Sequence, residues 1–598
     1  MRLRQLHVKN FRKIDDLTVD FPSGLAVLVG ENNAGKTAII DALRFLLFPG
    51  RDFDAVRLRE DDFRIGTDFA AIELSCVFCD LDDIDEVHFQ ECLVDIGNGK
   101  FEARISSRAE FNSKSRRANV KSWGGESEGG NLPSNLYDHI ATVYLKPLRD
   151  PASGLRPSSH SQVARLINCL TPEESQGDFE AIARDANQKI RELDAVSKAR
   201  ADVNTQMAAM AGTQLTQNAE LVFSEPAFHR IIAGLHPEID GLPFELNGLG
   251  YNNLVYTAAT LGTLDRSEQF SFRSILIEEP EAHLHPHLQV LLLRHFAKVA
   301  EREEGNQVQV IASSHSPILA SQAPIDAVVL VSEVDERVTA VSVNSIDIDV
   351  KLKKKLERYL DATRAELFFA RRVLMVEGVA EALVLPVLAR IAGGCLKDAA
   401  VTIVNADGIN FNAFIPLFGE GRLTLPVVIL TDGDPKGDKP ISDATKGLKA
   451  KESEIPNLRV QFSKKTFEHE LARHKKLLPH LLDAFIAMHP KVGEKLKKDL
   501  DKLQTQDDKA DAFYAEFNRV DTRKGEFAQE FASRVDFYLD RIERVKSYTA
   551  KADDARAKKV LAVIQHREIQ TDSVPSYIRD AFGFLQVIKE NEGNGKAG

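Results

Sequence analysis

Acidic side chains end two separate apolar runs of this sequence, and their types suit phosphate chemistry assisted by metal ions. Glu377 ends one run, and Glu381 lies four residues later, one turn into a predicted helix. Asp432 and Asp434 end a second run and share one side because they are two residues apart. Carboxylate oxygens without His or Cys favour Mg²⁺ or Mn²⁺ over zinc. The spacing predicts a site for two such cations, and an exposed Asp-Gly-Asp turn beside an acidic helix N-terminus is the alternative.

A glycine-rich loop at residues 30–37, Gly-Glu-Asn-Asn-Ala-Gly-Lys-Thr, indicates a second phosphate site. It lies between a buried strand predicted at 25–29 and a helix predicted at 37–47. Backbone N–H groups of such a loop surround phosphates, a lysine adds positive charge, and a threonine hydroxyl ligates Mg²⁺. The sequence therefore predicts ATP with Mg²⁺ here, and the expected contacts are Gly30, Asn32, Asn33, Gly35, Lys36 and Thr37.

A further acidic pair is expected to complete this nucleotide site. Glu278 and Glu279 follow the apolar run 275–277. A carboxylate at the carboxyl end of a buried strand can face the magnesium, so we assign Glu278 to the metal and Glu279 to the attacking water. His315 follows another predicted core strand and is expected to sense the γ-phosphate. Arg149 follows a strand as well, where a phosphate contact and a surface ion pair are equally open.

Length, charge and cysteine content limit the class of protein. At 598 residues the chain should form two to four domains. The net charge of −12 argues against a uniformly basic DNA-coating protein but leaves room for a local basic surface. No apolar stretch is long enough to span a membrane and no signal core opens the chain, so we expect a cytoplasmic protein. The five cysteines are too scattered for a disulfide framework.

The first set of motifs resembles the ABC-type ATPase heads of the SMC, Rad50 and RecF group. This resemblance implies a signature element before Glu278, and residues 246–254 occupy that place, with Gly248 in the motif and Asn247 where the serine would stand. In such heads the signature of one subunit closes on the nucleotide of another. The resemblance therefore implies a homodimer, and the asparagine puts the γ-phosphate contact in question.

The second set, Glu-Gly-x-x-Glu followed by Thr-Asp-Gly-Asp, resembles a Toprim domain, and the combination resembles the OLD (overcoming lysogenization defect) family of nucleases. This implies metal-dependent DNA nicking or cleavage, in phage defence or DNA repair, with room for a helicase partner. Two more family-like elements contain Glu468, as a metal ligand, and Lys524, as a cation for the scissile phosphate. A solvated helix position is the equal alternative for each.

The expected fold class is α/β, with an ATPase head, an inserted helical dimerisation region, an α/β Toprim domain and a helical C-terminal region. A loop is expected within residues 112–130. The expected segments are the head at 1–160 and 229–348, the insertion at 161–228, a linker helix at 349–370, the Toprim domain at 371–470, and the C-terminal region at 471–598, which completes the Toprim half.

Two other functions fit parts of the sequence less well. A primase-like or topoisomerase-like Toprim enzyme would need a zinc ribbon or a catalytic tyrosine in a DNA gate, and the sequence offers neither. An ATP-gated DNA clamp or repair ATPase would carry a non-catalytic Toprim domain. Four clustered acids without a metal would repel one another, which argues against that function.

Overall fold

The structure is a computed structural model that describes residues 1–48, 57–67, 69–133, 135–146, 154–212, 217–222, 225–265, 270–301, 307–334, 336–361, 363–435, 441–551 and 569–588. It forms two compact units. The first contains Met1–Arg12, Phe21–Val27 and Thr37–Ser314, and the second contains Lys13–Asp20, Leu28–Lys36 and His315–Gly598. Along the chain, strand Leu25–Val29 precedes the glycine-rich loop and helix Lys36–Leu47 follows it, as predicted.

The first unit contains an antiparallel sheet whose inner face is apolar. Strand Ile72–Cys79 pairs with Arg2–Phe11 on one side and with Phe101–Asn112 on the other. Phe101–Asn112 also pairs with Leu93–Asp95 and with Arg117–Gly124. The loop expected across 112–130 is therefore wrong for its middle, because backbone pairing with the preceding strand holds the eight residues Arg117–Gly124 in an extended conformation.

Parallel strands and an inserted group of helices make up the rest of the first unit. Strand Phe272–Glu278 pairs in parallel with Ile140–Leu145 and with Gln309–Ser314. All seven of its residues are buried, as expected for a central strand. A short hairpin joins Glu238–Ile239 to Leu242–Pro243. The helices of this unit, including those predicted from 161 onward, are Asp83–His88, Gln162–Leu170, Glu173–Glu192, Asp194–Ala211, Phe228–Ala233, Leu249–Asp265 and Pro286–Ala300.

The second unit is built on a parallel four-stranded sheet in the order Val401–Asn405, Arg372–Val376, Val427–Thr431, Leu458–Phe462. Parallel strands place their carboxyl ends at one edge, where the acidic residues follow. The other strands of this unit are Ile14–Asp20 and the antiparallel pair Val328–Val334 and Arg337–Ser342. Its helices are Pro317–Gln322, Val350–Tyr359, Val379–Ile391, Asp443–Ala450, Phe467–Ala472, Leu478–Met488, Pro490–Leu500, Gln506–Arg519, Lys524–Lys551 and Ser576–Phe584.

The linker helix expected at 349–370 ends earlier. It stops at Tyr359, and a short 3₁₀ helix follows at Arg364–Phe369. The Arg364 guanidinium donates to the Tyr359 carbonyl at 3.2 Å and to the Asp361 carboxylate at 3.0 Å, and so supplies partners at the helix end. Within the described part of the chain, no helix combines the length and apolar composition that a membrane crossing requires.

A phenylalanine cluster joins the C-terminal helices to this sheet's core. The Phe517 ring is 1% exposed and lies 4.9 Å from the Phe527 ring and 6.0 Å from the Phe513 ring. The same hydrophobic core contains Leu374 and Val376 of the central strand. The helical C-terminal region and the sheet therefore share one core.

This core generates a stability prediction with a matched control. Phe517→Ala should lower the free energy of unfolding by about 3–5 kcal/mol, because it leaves a cavity among closely packed rings. Phe537→Ala removes the same side chain where it is 71% exposed, and should change stability by less than about 0.5 kcal/mol. Urea denaturation followed by circular dichroism measures both. Equal losses for the two variants would contradict the packing described here.

Candidate functional site

The glycine-rich loop is held in a tight conformation by its lysine and its glycines. The Lys36 ammonium group donates to the carbonyls of Gly30 at 2.6 Å and Glu31 at 2.7 Å. A Cβ on Gly30 would lie 1.9 Å from the Val331 carbonyl oxygen, so that position requires glycine. Gly35 has a φ of +108°, which also favours glycine. The loop therefore has the closed backbone that a phosphate-binding loop needs.

In the first unit, Glu278 ends its strand with both carboxylate oxygens hydrogen-bonded. The Thr37 hydroxyl donates to one oxygen at 3.0 Å, and the Tyr144 phenol donates to the other at 2.8 Å. Glu278 is 4% exposed, and burial raises its pKa while these two hydrogen bonds oppose the rise. A buried carboxylate beside a hydroxyl is an oxygen donor set that suits Mg²⁺. These residues fit the magnesium that accompanies a nucleotide.

Tyr144 was not found from the sequence, and other side chains fix its position. The Arg44 guanidinium lies 3.7 Å from the centre of the Tyr144 ring and also pairs with Asp41. Arg12 donates to the same Asp41 carboxylate at 2.8 Å. Tyr144 lies in strand Ile140–Leu145, which pairs with the strand of Glu278, but no sequence spacing links a tyrosine to a glutamate 134 residues away.

The remaining residues predicted for the nucleotide site have described positions, apart from Arg149, which lies outside the described residues. Glu279 has a φ of +49° and donates its amide to the Ser313 carbonyl at 2.9 Å. His315 directly follows strand Gln309–Ser314 and is exposed. Asn247 is half-buried just before helix Leu249–Asp265, and the space around Gly248 is open. The roles given to these residues stay predictions.

The acidic group of the second unit gathers at the carboxyl edge of the parallel sheet. Glu377 and Asp432 follow neighbouring strands, and Glu381 lies in the first turn of helix Val379–Ile391. The Asp432 amide donates to the Glu377 carboxylate at 2.7 Å, and the Thr431 hydroxyl donates to the same oxygen. The Ser463 hydroxyl donates to the Asp432 carboxylate at 3.0 Å. Backbone and hydroxyl donors therefore orient two of the carboxylates.

Glu468 and Lys524 lie beside this group. Glu468 is 4% exposed, and its carboxylate is 3.1 Å from the Lys524 ammonium group. Asp434 is exposed after the strand end, with a φ of +43° and its amide donated to the Lys465 carbonyl at 3.1 Å. The strongest charges acting on Asp432 come from Glu377, Glu468 and Glu381, and the metal-binding roles given to Glu468 and Asp434 stay predictions.

Burial and like charge dominate the electrostatics of this carboxylate cluster, which we define as Glu377, Glu381, Asp432 and Glu468. Burial, followed by the other three charges, raises the pKa of Asp432 to about 8. The pKa of Glu381 is raised by burial and then by Glu468 and Glu377, and Lys524 opposes the rise. The pKa of Lys524 is raised by the carboxylates, chiefly Glu468, against the effect of burial.

The cluster fits a divalent cation by its chemistry more than by its present arrangement. Among the described residues, no three His, Cys, Asp or Glu side chains are placed to hold one metal ion. Glu377 is turned onto Thr431 and the Asp432 amide, and Glu468 is turned onto Lys524. Buried carboxylates that raise one another's pKa gain most from a bound cation. Oxygen donors of this kind suit Mg²⁺ or Mn²⁺.

Comparisons with known proteins agree with these two sites. A family model for an AAA ATPase domain matches residues 1–139 and 155–320, which is half of the chain. The chain therefore belongs to the AAA ATPase domain family. A second model, for the TOPRIM domain of overcoming lysogenization defect-like proteins, matches residues 368–434. The chain carries an OLD-like TOPRIM domain. The family and the ATPase–Toprim architecture expected from the sequence are confirmed.

Two relatives resemble this chain over most of its length. An OLD nuclease from Thermus scotoductus is 28% identical over 416 residues, which is 63% of this chain and 71% of the relative. Endonuclease GajA from Bacillus cereus is 22% identical over 478 residues, which is 73% and 76% of the two chains. The solved C-terminal region of the Burkholderia pseudomallei OLD protein is 21% identical and matches 36% of this chain and 98% of its own, with a TM-score of 0.26.

The Tyr144 hydrogen bond generates a prediction for ATP turnover by this chain. Tyr144→Phe removes the donor to Glu278 and should raise the Mg²⁺ concentration that gives half-maximal turnover by about tenfold, with nucleotide binding unchanged. The control is Tyr256→Phe, which removes a phenol that accepts from the Gln162 amide at 3.2 Å in the same unit. A Mg²⁺ titration of phosphate release measures both variants. The same Mg²⁺ dependence in the two would refute the role given to Tyr144.

Proposed function

We propose that this chain is a metal-dependent DNA endonuclease that cuts phosphodiester bonds at the carboxylate cluster. The observation that carries the proposal is the convergence of four carboxylates, Glu468 buried and the other three half-buried, beside one lysine at the carboxyl edge of a parallel sheet. Ligands usually bind at this edge of α/β sheets. The relatives are described as a nuclease and an endonuclease, which agrees with this chemistry.

The proposed roles follow from the position of each side chain. Glu377, Glu381, Asp432 and Glu468 would hold two cations, Mg²⁺ or Mn²⁺, with Asp434 as the further ligand suggested by the sequence. Bound cations of this kind activate a water molecule and stabilise the added negative charge of the phosphodiester in its transition state. Ser463 and Thr431 orient the carboxylates. Lys524 would turn from Glu468 to the scissile phosphate as the cations neutralise the cluster.

The nucleotide loop would serve as a switch that is separate from the cutting site. Lys36 would bind the phosphates, Thr37 and Glu278 would hold Mg²⁺, and Glu279 would polarise the attacking water. His315 would sense the γ-phosphate. Asn247 and Gly248 of a second copy would close on the nucleotide, in a homodimer joined by the helices of 161–228. Phage defence, with a helicase partner, or DNA repair would be the setting.

One contact in the second unit supports control of cutting by the nucleotide loop. Glu31 of the loop forms an ion pair with Arg371 at 2.9 Å. Arg371 directly precedes strand Arg372–Val376, and Glu377 follows that strand. A change in the loop on nucleotide binding would therefore reach the strand that carries the first metal ligand. This contact favours an ATP-controlled nuclease over two independent activities.

Removal of one carboxylate tests the cutting site. Asp432→Asn should lower Mn²⁺-dependent plasmid nicking by at least about 100-fold, while the folded state keeps its stability because a repelled charge is removed. Asp398→Asn is the control, since Asp398 is exposed ahead of strand Val401–Asn405, at the opposite end from the cluster. Gel analysis of supercoiled plasmid measures both. Nicking by Asp432→Asn at the rate of the unaltered protein would rule out this site.

Removal of the loop lysine tests whether the two sites are separable. Lys36→Ala should abolish ATP binding, because the phosphates lose their charge partner, and should leave Mn²⁺ binding and Mn²⁺-dependent nicking measurable. Asp432→Asn should show the reverse pattern, with ATP turnover retained. Isothermal titration with ATP and with Mn²⁺ separates the two. Loss of Mn²⁺ binding in Lys36→Ala would contradict the division of labour proposed here.

A further inference from the structure

The hairpin at the edge of the first unit's antiparallel sheet is basic in an acidic protein. Residues 111–125 contain four cations and no Asp or Glu, whereas the chain as a whole carries a net charge of −12. The segment is ordered by pairing of strand Arg117–Gly124 with Phe101–Asn112. The Asn112 side chain accepts from the amides of Lys114 and Ser115 at 3.1 Å each and fixes the turn. Positive charge is therefore concentrated on one structured element.

The strand register gathers this charge on one face of the hairpin. Arg117, Lys121 and Trp123 alternate along their strand and so share a face, with Lys121 directly opposite Arg108. The other face of the partner strand carries small and apolar side chains that are buried, namely Ala103, Ile105 and Ala109. Like charges directly opposite each other destabilise a strand pair. An anionic partner outside the sheet would relieve this repulsion.

Ion pairs neutralise some cations of the hairpin but leave the positive charge at its tip uncompensated. Arg116 pairs with Glu60 at 2.6 Å and Lys121 with Glu128 at 3.6 Å. Arg108 pairs with Glu110 at 3.2 Å and with Glu73 at 3.8 Å. Across the described ranges, neither Lys114 nor Arg117 forms an ion pair, and both are exposed. Farther along the hairpin lie the cations Lys121 and Arg108 and the aromatic side chain of Trp123. This arrangement suits a polyanion with regularly spaced charges.

We propose that this basic hairpin face, made of Arg108, Lys114, Arg117, Lys121 and Trp123, binds the phosphate backbone of duplex DNA. The inference rests on the proposed function and adds a DNA-binding surface on the first unit to the carboxylate cluster of the second. Non-specific DNA binding needs a handful of phosphate contacts, which this face can supply. Contacts of this kind position the duplex without reading its sequence.

Protection of an edge strand is the competing explanation. Lysines on an edge strand prevent pairing with other chains, and Arg117–Gly124 pairs on one side with Phe101–Asn112. Under that explanation the cations serve only to prevent strand pairing with other chains. Their replacement by neutral polar residues would then leave DNA binding unchanged. The two explanations therefore differ in a measurable quantity.

The test compares two double variants that change net charge equally. Lys114→Gln with Arg117→Gln removes the unpaired cations, and Lys100→Gln with Arg294→Gln removes two exposed cations elsewhere in the same unit. Binding to a labelled duplex of about 40 base pairs is measured by anisotropy in EDTA, so that no cutting occurs, between about 50 and 200 mM salt. The emission of Trp123, the single tryptophan of the chain, is recorded in the same titration.

The hairpin variant should bind about tenfold more weakly at 100 mM salt, with a salt slope lower by about 0.9 for each phosphate that the protein no longer neutralises. Its Trp123 response to DNA should fall, and its Mn²⁺-dependent cleavage at saturating DNA should persist. The control variant should keep the affinity, the slope and the Trp123 response. Equal affinities and slopes for the two variants would overturn this inference alone. Failure of the unaltered protein to bind duplex DNA would overturn the proposed function and this inference together.

Discussion

Repulsion among carboxylates that are half-buried or buried is the constraint on which the second unit depends. The parallel sheet brings Glu377 and Asp432 to one edge, and the helices that follow add Glu381 and Glu468. Burial and mutual repulsion raise the pKa of Asp432 to about 8. An apolar core that extends from the sheet into the C-terminal helices holds these charges together against their repulsion. The free energy of folding thus prepares a site that a cation would complete in the function we propose.

Neutral hydroxyl groups perform the same task at both sites. Thr37 and Tyr144 hold the two oxygens of Glu278, and Ser463 holds Asp432. A hydroxyl donor favours the ionised carboxylate without bringing a competing positive charge, so the carboxylate stays available to a metal ion. Lys524 is different, because it places a full charge on Glu468 and can exchange that partner for a phosphate. The hydroxyl residues therefore orient carboxylates, whereas Lys524 would be able to contact the substrate.

The sequence predicted the site residues that lie at strand ends. It missed the residues whose place in a site depends on contacts between distant parts of the chain. Glu377 and Asp432 were found because each follows an apolar strand, and parallel strands end at the same edge. Tyr144 and Ser463 were missed because their hydrogen bonds join strands far apart in the chain, which no local spacing reveals. The strand Arg117–Gly124 was missed because it is polar and lies at an edge, so it lacks the apolar alternation that marks a half-buried strand.

The central claim is that the carboxylate cluster binds divalent cations without help from the nucleotide loop. Mn²⁺ binding to the chain in the absence of nucleotide and DNA, measured by the electron paramagnetic resonance signal of free Mn²⁺, tests it most directly. The unaltered protein should bind Mn²⁺. Glu381→Gln should weaken that binding by at least about tenfold, because it replaces one of the proposed carboxylate ligands by a neutral amide. The same Mn²⁺ affinity in both proteins would contradict the claim.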